Sequence, residues 1–266
     1  SDERKRVIKV ALKDLKGYRR IIRALEAMPQ VQDIYNTDLL HVQQYLFTRL
    51  GVAPTSKVEV EYEGHRLRAI KPLDDAFDIA PPPFTSLSFS FNVKCPFLTP
   101  RVERDPIASM TARFGGEGYE LDGDESTVLE GFQGLVREKD PDILVCPECD
   151  DFSFPYLYAR AGFAGVNLQL GRDMADPISL GGTHPYWAKG RVALSYTMSG
   201  LNYEDWGLAG LVERARFSFL PPGMAGRWTA NKVIDSRNCY ELLRRGYVIP
   251  RNRGYFEFVR TVKEIV

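Results

Sequence analysis

Two cysteines in a CxxC turn are the first groups in the sequence with a recognised chemistry. Cys146-Pro-Glu-Cys149 follows the apolar run DILV, and this spacing occurs in structural zinc sites and in thiol redox sites. A structural zinc ion requires two further ligands, and the remaining candidates are scattered along the chain as Cys95, Cys239, His41, His65 and His184. We therefore predict a partly buried pair of free thiols, with zinc or redox chemistry as the alternative.

A basic segment near the end of the sequence is the strongest candidate for nucleic-acid binding. Residues 227–246 read RWTANKVIDSRNCYELLRRG, in which Trp228 offers a stacking face. The side chains that offer phosphate contacts are Arg227, Lys232, Arg237, Arg244 and Arg245. The alternative is a helix packed through Ile234, Leu242 and Leu243, whose basic residues are merely solvated. The sequence leaves these two interpretations open.

A third candidate, LGGTHPYW at residues 180–187, combines a glycine pair with His184. It lacks the GxxxxGK[ST] pattern of a phosphate-binding loop, and His184 has no persuasive Ser or Cys partner as a catalytic base. We predict an ordinary loop before the following strand.

Composition excludes some classes of protein and leaves nucleic-acid binding to local patches. The 266 residues carry a formal net charge of zero, but residues 1–23 hold nine Lys or Arg against three acids, and residues 227–266 hold nine against four. No apolar run approaches the roughly 18 residues that span a bilayer, so we predict no membrane partner. Four scattered cysteines fit a reducing cytoplasm better than a disulfide framework.

The elements that must position these residues follow from hydrophobic periodicity. We predict strands at 5–12, 85–93, 108–115, 141–147 and 190–198, and a hairpin over 57–70. Helices are predicted at 14–28, at 39–50 between a cap at Asp38 and Gly51, and at 125–138, 154–162, 204–215 and 231–250. Residues 220–228 are predicted as a loop, and Pro81 to Pro83 mark a boundary. Strands that alternate with helices after this boundary predict an α/β sheet.

Four blocks of this sequence, in matching order, resemble the leading half of archaeal family-B DNA polymerases, and in particular their divergent, inactivated paralogues. They are DIYNTDLLHVQQYLFTRLGVAP (33–54), DESTVLEGFQGLVREKDPDILVCPECDDFSFPYLYARA (124–161), GRVALSY (190–196) and GLAGLVERARFSFLPPGMAGRWTANKVIDSRNCYELLRRGYVIP (207–250). The resemblance implies a ribonuclease-H-like 3′–5′ exonuclease fold, a mixed central sheet flanked by helices, preceded by a small α+β domain. It divides the chain into an N-terminal domain (1–83), a degenerate exonuclease domain (84–226) and a linker with a helix leading toward a palm domain (227–266).

The resemblance also implies that the exonuclease chemistry is lost. Active relatives hold two metal ions with aspartates and glutamates, but the corresponding positions here are Ser90, Asn92, Ser153 and Ser195. The helix of the third exonuclease motif is missing from the pattern. Neutral oxygens cannot balance two divalent cations, so we predict no catalytic residue, no metal site and no cofactor, with Mg²⁺ expected only in active relatives.

Three nearby aspartates are the possible substitutes for the lost ligands. Asp105, Asp150 and Asp151 lie close in sequence to the degenerate positions. The simpler interpretation is that Asp105 begins a turn before Pro106, and that Asp150 and Asp151 cap the following helix.

The resemblance therefore leads to three functional hypotheses. The palm motifs that hold polymerase metals are absent, so this chain alone is not expected to polymerise DNA. We favour a non-catalytic DNA-binding or structural module, with single-stranded or primer–template DNA and the remainder of a polymerase chain as partners. The alternatives are an active 3′–5′ exonuclease with relocated metal ligands and a scaffold for replication or repair proteins.

Overall fold

The computed structural model describes residues 7–12, 16–37, 39, 41–73, 82–97, 99–177, 187–197 and 202–249 of the chain. In chain order the strands are β1 (Val58–Glu63), β2 (Arg66–Pro72), β3 (Ser86–Val93), β4 (Ile107–Phe114), β5 (Glu117–Asp122), β6 (Ile143–Cys146) and β7 (Val192–Ser195). The α-helices are α1 (Tyr18–Glu26), α2 (His41–Tyr45), α3 (Glu125–Lys139), α4 (Phe154–Phe163), α5 (Tyr203–Ser218), α6 (Pro222–Arg227) and α7 (Ala230–Arg244). Two π-helical turns, Leu46–Leu50 and Cys149–Ser153, follow α2 and precede α4.

A five-stranded mixed sheet organises the central part of the chain. Its strand order is β5-β4-β3-β6-β7; β3, β4 and β5 pair antiparallel, whereas β6 pairs parallel to both β3 and β7. The β5–α3–β6 connection crosses the sheet to place β6 beside β3, and all four residues of β6 are buried, as is usual for a parallel strand covered on both faces. The predicted mixed α/β sheet flanked by helices is confirmed.

Alternation along the strands decides which helix covers which face of the sheet. On one face, Leu87 and Phe89 of β3 pack with Phe132 of α3 and Phe154 of α4 in the main core. On the other face, Ile143 and Val145 of β6 pack with Leu194 of β7 and Leu211 of α5. Helix α5 therefore covers β6 and β7, while the same face of β3 and β4 carries short polar side chains that reach solvent.

The predicted helix at 125–138 is confirmed as α3, and its start has a clear cause. The Asp124 side chain accepts the backbone N–H of Thr127 at 2.8 Å, which satisfies one of the donors left free in a first helical turn. None of the helices in the described parts of the chain combines the length and apolar character that a bilayer crossing requires.

Three predictions of local structure are wrong. Residues 7–12, predicted as part of a strand, have no regular secondary structure, because no described strand pairs with them. Residues 220–228, predicted as a loop, contain α6, since Pro221 and Pro222 lie where a helix tolerates proline, at its N-terminus. Strand β5 was not predicted because its exposed edge carries glutamates and a glycine in place of an apolar pattern.

The N-terminal residues form an α+β arrangement that packs on the last described helix. The predicted hairpin is confirmed as β1–β2, and Gly51 ends the π-helical turn with φ 63°, donating its N–H to the Leu46 carbonyl. Asp38 and Pro81 lie outside the described residues. Ala53 packs with Phe219 and Cys239, and the Ile249 N–H donates to Asn36 Oδ1 at 2.8 Å. The core that contains Ala53, Phe219 and Cys239 joins residues on both sides of the predicted domain boundaries at 83 and 226. These boundaries stay predictions.

Candidate functional site

The four positions expected to have lost carboxylates lie at one end of the sheet. Ser90 and Asn92 are in the second half of β3, Ser195 ends β7, and Ser153 ends the π-helical turn after β6. Because β3, β6 and β7 run parallel, their carboxyl ends meet at the same edge. The structure thus brings together the elements that the resemblance assigns to an exonuclease site.

On β3 the two polar side chains face solvent and bond to the neighbouring strand. Ser90 Oγ lies 3.0 Å from Thr111 Oγ1, and Asn92 Nδ2 donates to Ser109 Oγ at 3.1 Å. Hydroxyl and amide groups pair across β3 and β4 without any charge, so this part of the sheet offers neutral ligands only.

The other two serines are buried, and their hydroxyl groups form hydrogen bonds with main-chain groups. Ser195 Oγ accepts the N–H of Cys149 at 2.7 Å, and Ser153 Oγ donates to the Pro147 carbonyl. Both bonds satisfy main-chain groups of the turn that links β6 to α4, where an unpaired polar group would be costly. These two hydroxyls therefore hold the turn in place.

Asp105, the first possible substitute ligand, is held by cations and backbone. Its carboxylate is buried, receives Nε and Nη2 of Arg104 at 2.6 and 2.7 Å, and accepts the Arg101 N–H at 2.9 Å. The hydrogen bonds from Arg104 hold the pKa of the Asp105 carboxyl well below its usual range, although burial opposes the shift. The residue stays in the predicted turn before Pro106, and its charge is already balanced.

Asp150, the second possible substitute, forms a two-pronged ion pair with Arg227. Arg227 Nε donates to Asp150 Oδ2 at 2.6 Å and Nη2 donates to Oδ1 at 2.7 Å, while Trp187 Nε1 donates to Oδ1 at 2.9 Å. Burial favours the neutral carboxyl, but the hydrogen bonds and charge of Arg227 outweigh it and lower the Asp150 pKa. The predicted cap on α4 is wrong for both Asp150 and the exposed Asp151, because α4 has no side-chain cap.

Arg227 faces inward in this structure. Besides Asp150, its guanidinium donates to the carbonyls of Gly223 at 2.9 Å and Ala193 at 2.7 Å, and Nη2 lies 3.9 Å from Cys149 Sγ. Its side chain is 13% exposed. The ion pair ties α6 to the edge of β7 and to the turn after β6, so the phosphate contact predicted for Arg227 would require these bonds to open.

The other members of the basic segment differ in their surroundings. Trp228 packs beside a small core, and Lys232 Nζ lies 5.8 Å from its ring centroid, within range of a cation–π contact. Arg237 pairs with Glu241 at 2.8 Å, and Arg244 reaches the same carboxylate at 3.1 Å. Lys232, Arg244 and Arg245 are exposed on α7. Their nucleic-acid contacts stay predictions.

The CxxC cysteines form a buried thiol pair. Both Cys146 and Cys149 are free and inaccessible to solvent. Their mutual hydrogen bond and burial raise the pKa of the Cys149 thiol, which disfavours the reactive thiolate. Within the described ranges, no three His, Cys, Asp or Glu side chains gather in a way that could hold a metal ion. The glycine pair and His184 lie outside the described residues.

The neutral side chains, together with the ion pairs of Asp105 with Arg104 and of Asp150 with Arg227, do not fit a site for two metal ions. Divalent magnesium requires several oxygen ligands, chiefly carboxylates. At the carboxyl ends of the parallel strands, the four expected ligand positions offer only hydroxyls and an amide, and the Asp150 carboxylate is already neutralised by Arg227. No hydrolytic step can be derived through such a pair of ions here.

The mixed sheet and its helical layers form the mixed α/β fold that the resemblance implies, with the four expected site positions at the carboxyl edge of the sheet. A solved family-B DNA polymerase from Pyrobaculum calidifontis has the same fold, with a TM-score of 0.73 and 20% identity over 87% of this chain and 39% of that one. No protein-family model matches the sequence.

Archaeal DNA polymerases are also similar in sequence. The DNA polymerase of Archaeoglobus fulgidus is 28% identical over 159 residues, 58% of this chain and 20% of the relative. DNA polymerase 3 of Saccharolobus shibatae is 25% identical over 193 residues, 70% of this chain and 24% of the relative. The chain is thus similar in sequence to part of these archaeal DNA polymerases, and it spans a quarter or less of the two relatives' length.

Proposed function

We propose that this chain is the non-catalytic, DNA-binding portion of a family-B DNA polymerase-like protein, with its proofreading site inactivated. The observation that carries the proposal is the state of the candidate site. Its four expected ligand positions hold neutral side chains, and the carboxylates of Asp105 and Asp150 are bound by Arg104 and Arg227. The homology supplies the polymerase-related role.

Electrostatics supports the loss of cleavage. Two divalent cations bring four positive charges, which active sites of this kind balance with carboxylates. Freeing Asp150 for a metal would leave the largely buried guanidinium of Arg227 without its counter-charge, which is strongly unfavourable. A relocated metal site would therefore have to break a stable pair before it could form.

Nuclease assays test the inactivation. The full chain is incubated with 5′-labelled single-stranded and primer–template DNA and with Mg²⁺ or Mn²⁺, beside an active 3′–5′ exonuclease as the positive control. We expect no metal-dependent shortening. The exposed Asp151 offers a matched variant: cleavage by the wild-type chain that Asp151→Asn abolishes would establish a working relocated site and refute the inactivation.

DNA binding is tested separately by fluorescence anisotropy at low salt, where phosphate contacts are strongest. We expect Lys232→Glu and Arg245→Glu each to weaken binding and to reduce the slope of log K against log salt by about one. Lys71→Glu on the hairpin makes the same charge change and serves as the control. Equal weakening by Lys71→Glu, or no binding by the wild-type chain, would favour a protein scaffold instead.

A further inference from the structure

A cavity of about 460 Å³ lies beside β7, away from the four degenerate exonuclease positions. It is bounded by α5, α6 and residues 187–191, and its wall is mainly apolar. The side chains that dominate this wall are Phe84, Ile143, Val192, Leu211, Val212 and Met224. Its volume falls within the roughly 300–1,000 Å³ typical of small-molecule sites, and such sites are usually apolar with a few placed polar groups.

Arg191 is a buried cation that lines this cavity, and one nitrogen of its guanidinium group is not used in a hydrogen bond. The Arg191 side chain is 4% exposed; its Nε donates to the Leu170 carbonyl at 2.9 Å and its Nη1 to Asp140 Oδ1 at 2.7 Å and to the Pro141 carbonyl. Nη2 donates to no acceptor among the described residues. It is also not one of the fully buried side-chain atoms that lack a hydrogen bond, so it keeps some exposed surface. A guanidinium fork of this kind is suited to an oxygen acceptor, best of all a charged one.

Other charged groups around the cavity are already paired. Arg172 binds Asp140 and Asp142, each at 2.9 Å, and Arg227 binds Asp150. Trp187 also lines the cavity, and its ring is held by stacking 5.8 Å from that of Phe154 at an interplanar angle of 8°. The cavity thus combines an aromatic and aliphatic interior with one unused cationic donor.

We propose that this cavity binds a small aromatic anion. The aromatic body packs between Trp187 and the aliphatic wall, and its acid group accepts hydrogen bonds from Arg191 Nη2. This binding is independent of the DNA contacts proposed for α7, because Lys232, Arg244 and Arg245 do not line the cavity.

Gly223 provides a way to fill the cavity without disturbing its cations. A Cβ atom at Gly223 would lie 3.5 Å from Arg227 Nη1 and 3.8 Å from Val192 Cγ1, which are ordinary contacts with two cavity-lining residues. Gly223→Ala is therefore compatible with the fold, and Gly223→Leu extends the side chain into the space. Gly162→Leu on α4 is the matched control, because nothing lies within 4 Å of a Cβ there.

The test is a titration of the full chain with 8-anilinonaphthalene-1-sulfonate, followed by its fluorescence and by quenching of tryptophan emission. We expect one principal site, binding the sulfonate about tenfold more tightly than the neutral analogue N-phenyl-1-naphthylamine, as one charge-assisted hydrogen bond implies. Binding should weaken in Gly223→Ala, be lost in Gly223→Leu and persist in Gly162→Leu. Wild-type affinity in a folded Gly223→Leu variant would overturn the site, and equal binding of the neutral analogue would overturn the anionic ligand.

Discussion

The ion pair between Asp150 and Arg227 allows a stability prediction with a defined size. Asp150→Asn keeps the shape of the side chain but removes the negative charge that balances the 13%-exposed guanidinium. Breaking a fully buried pair in this way costs about 3–5 kcal/mol. Asp150 itself is 26% exposed and Arg227 keeps two carbonyl acceptors, so we expect a smaller loss of about 2–3 kcal/mol.

The loss should be visible in both chemical and thermal unfolding. For a chain of 266 residues, about 2–3 kcal/mol corresponds to a fall in Tm of roughly 4–6 °C. The double variant Asp150→Asn/Arg227→Gln should be less destabilised than the sum of its single changes, because each single change leaves one partner alone. Glu63→Gln is the control: its pair with Arg68 is 72% and 49% exposed, so its effect should stay below about 0.5 kcal/mol.

The same pair makes a prediction about pH. The pKa of Asp150 is lowered in the folded chain, so its contribution is present above the unfolded pKa of about 3.9 and is lost as the pH falls through the lower folded value. The stability difference between the wild-type chain and Asp150→Asn should therefore be full at neutral pH and shrink below about pH 4. A variant as stable as the wild type at pH 7, or a difference that does not change on acidification, would refute the reasoning.

Three further changes, two beside the site and one in the N-terminal segment, are tested by urea unfolding. Ser195→Ala should destabilise the chain by about 1–3 kcal/mol, because the buried N–H of Cys149 loses its acceptor, and Ser195→Thr should restore part of the loss. Asn36→Ala should cost more than Asn36→Gly, since its φ of 57° suits glycine; the reverse order would contradict the left-handed backbone. Gly226→Ala should destabilise by about 1–3 kcal/mol because its Cβ would lie 2.8 Å from Leu194 Cδ2, and an unchanged midpoint would show that Leu194 moves freely.

The central sheet was predictable because its elements have strong local patterns. TSLSFSFNV alternates as a strand with one buried face, and the helix at 125–138 carries both its apolar stripe and its cap at Asp124. The edge strand β5 and the short helix α6 escaped prediction, because β5 has only two apolar residues, Tyr119 and Leu121, and α6 is six residues long. Both depend on tertiary contacts, namely pairing with β4 and packing of Met224 and Ala225 in a small core.

The site was predictable in its location but not in its bonding. The resemblance assigned Ser90, Asn92, Ser153 and Ser195 to one degenerate site, and the topology brings the ends of their strands to the same edge of the sheet. Nothing near Arg227 in the sequence indicates that its side chain points into the protein, because its partner Asp150 lies 77 residues earlier. For the same reason the cavity beside β7 was missed: residues from seven separate stretches of the chain build its wall, and no motif joins them.

The contacts between the N-terminal residues and the later helices have a consequence for synthesis of the chain. The Thr55 carbonyl accepts Arg216 Nη2 across 161 residues, and Asn36 binds Ile249 across 213. A ribosome adds about 5–20 residues each second, so this early segment waits roughly 10–40 s for the helix that completes its core. Throughout that wait Ala53 and its apolar neighbours are exposed on the nascent chain, where a chaperone could shield them from aggregation.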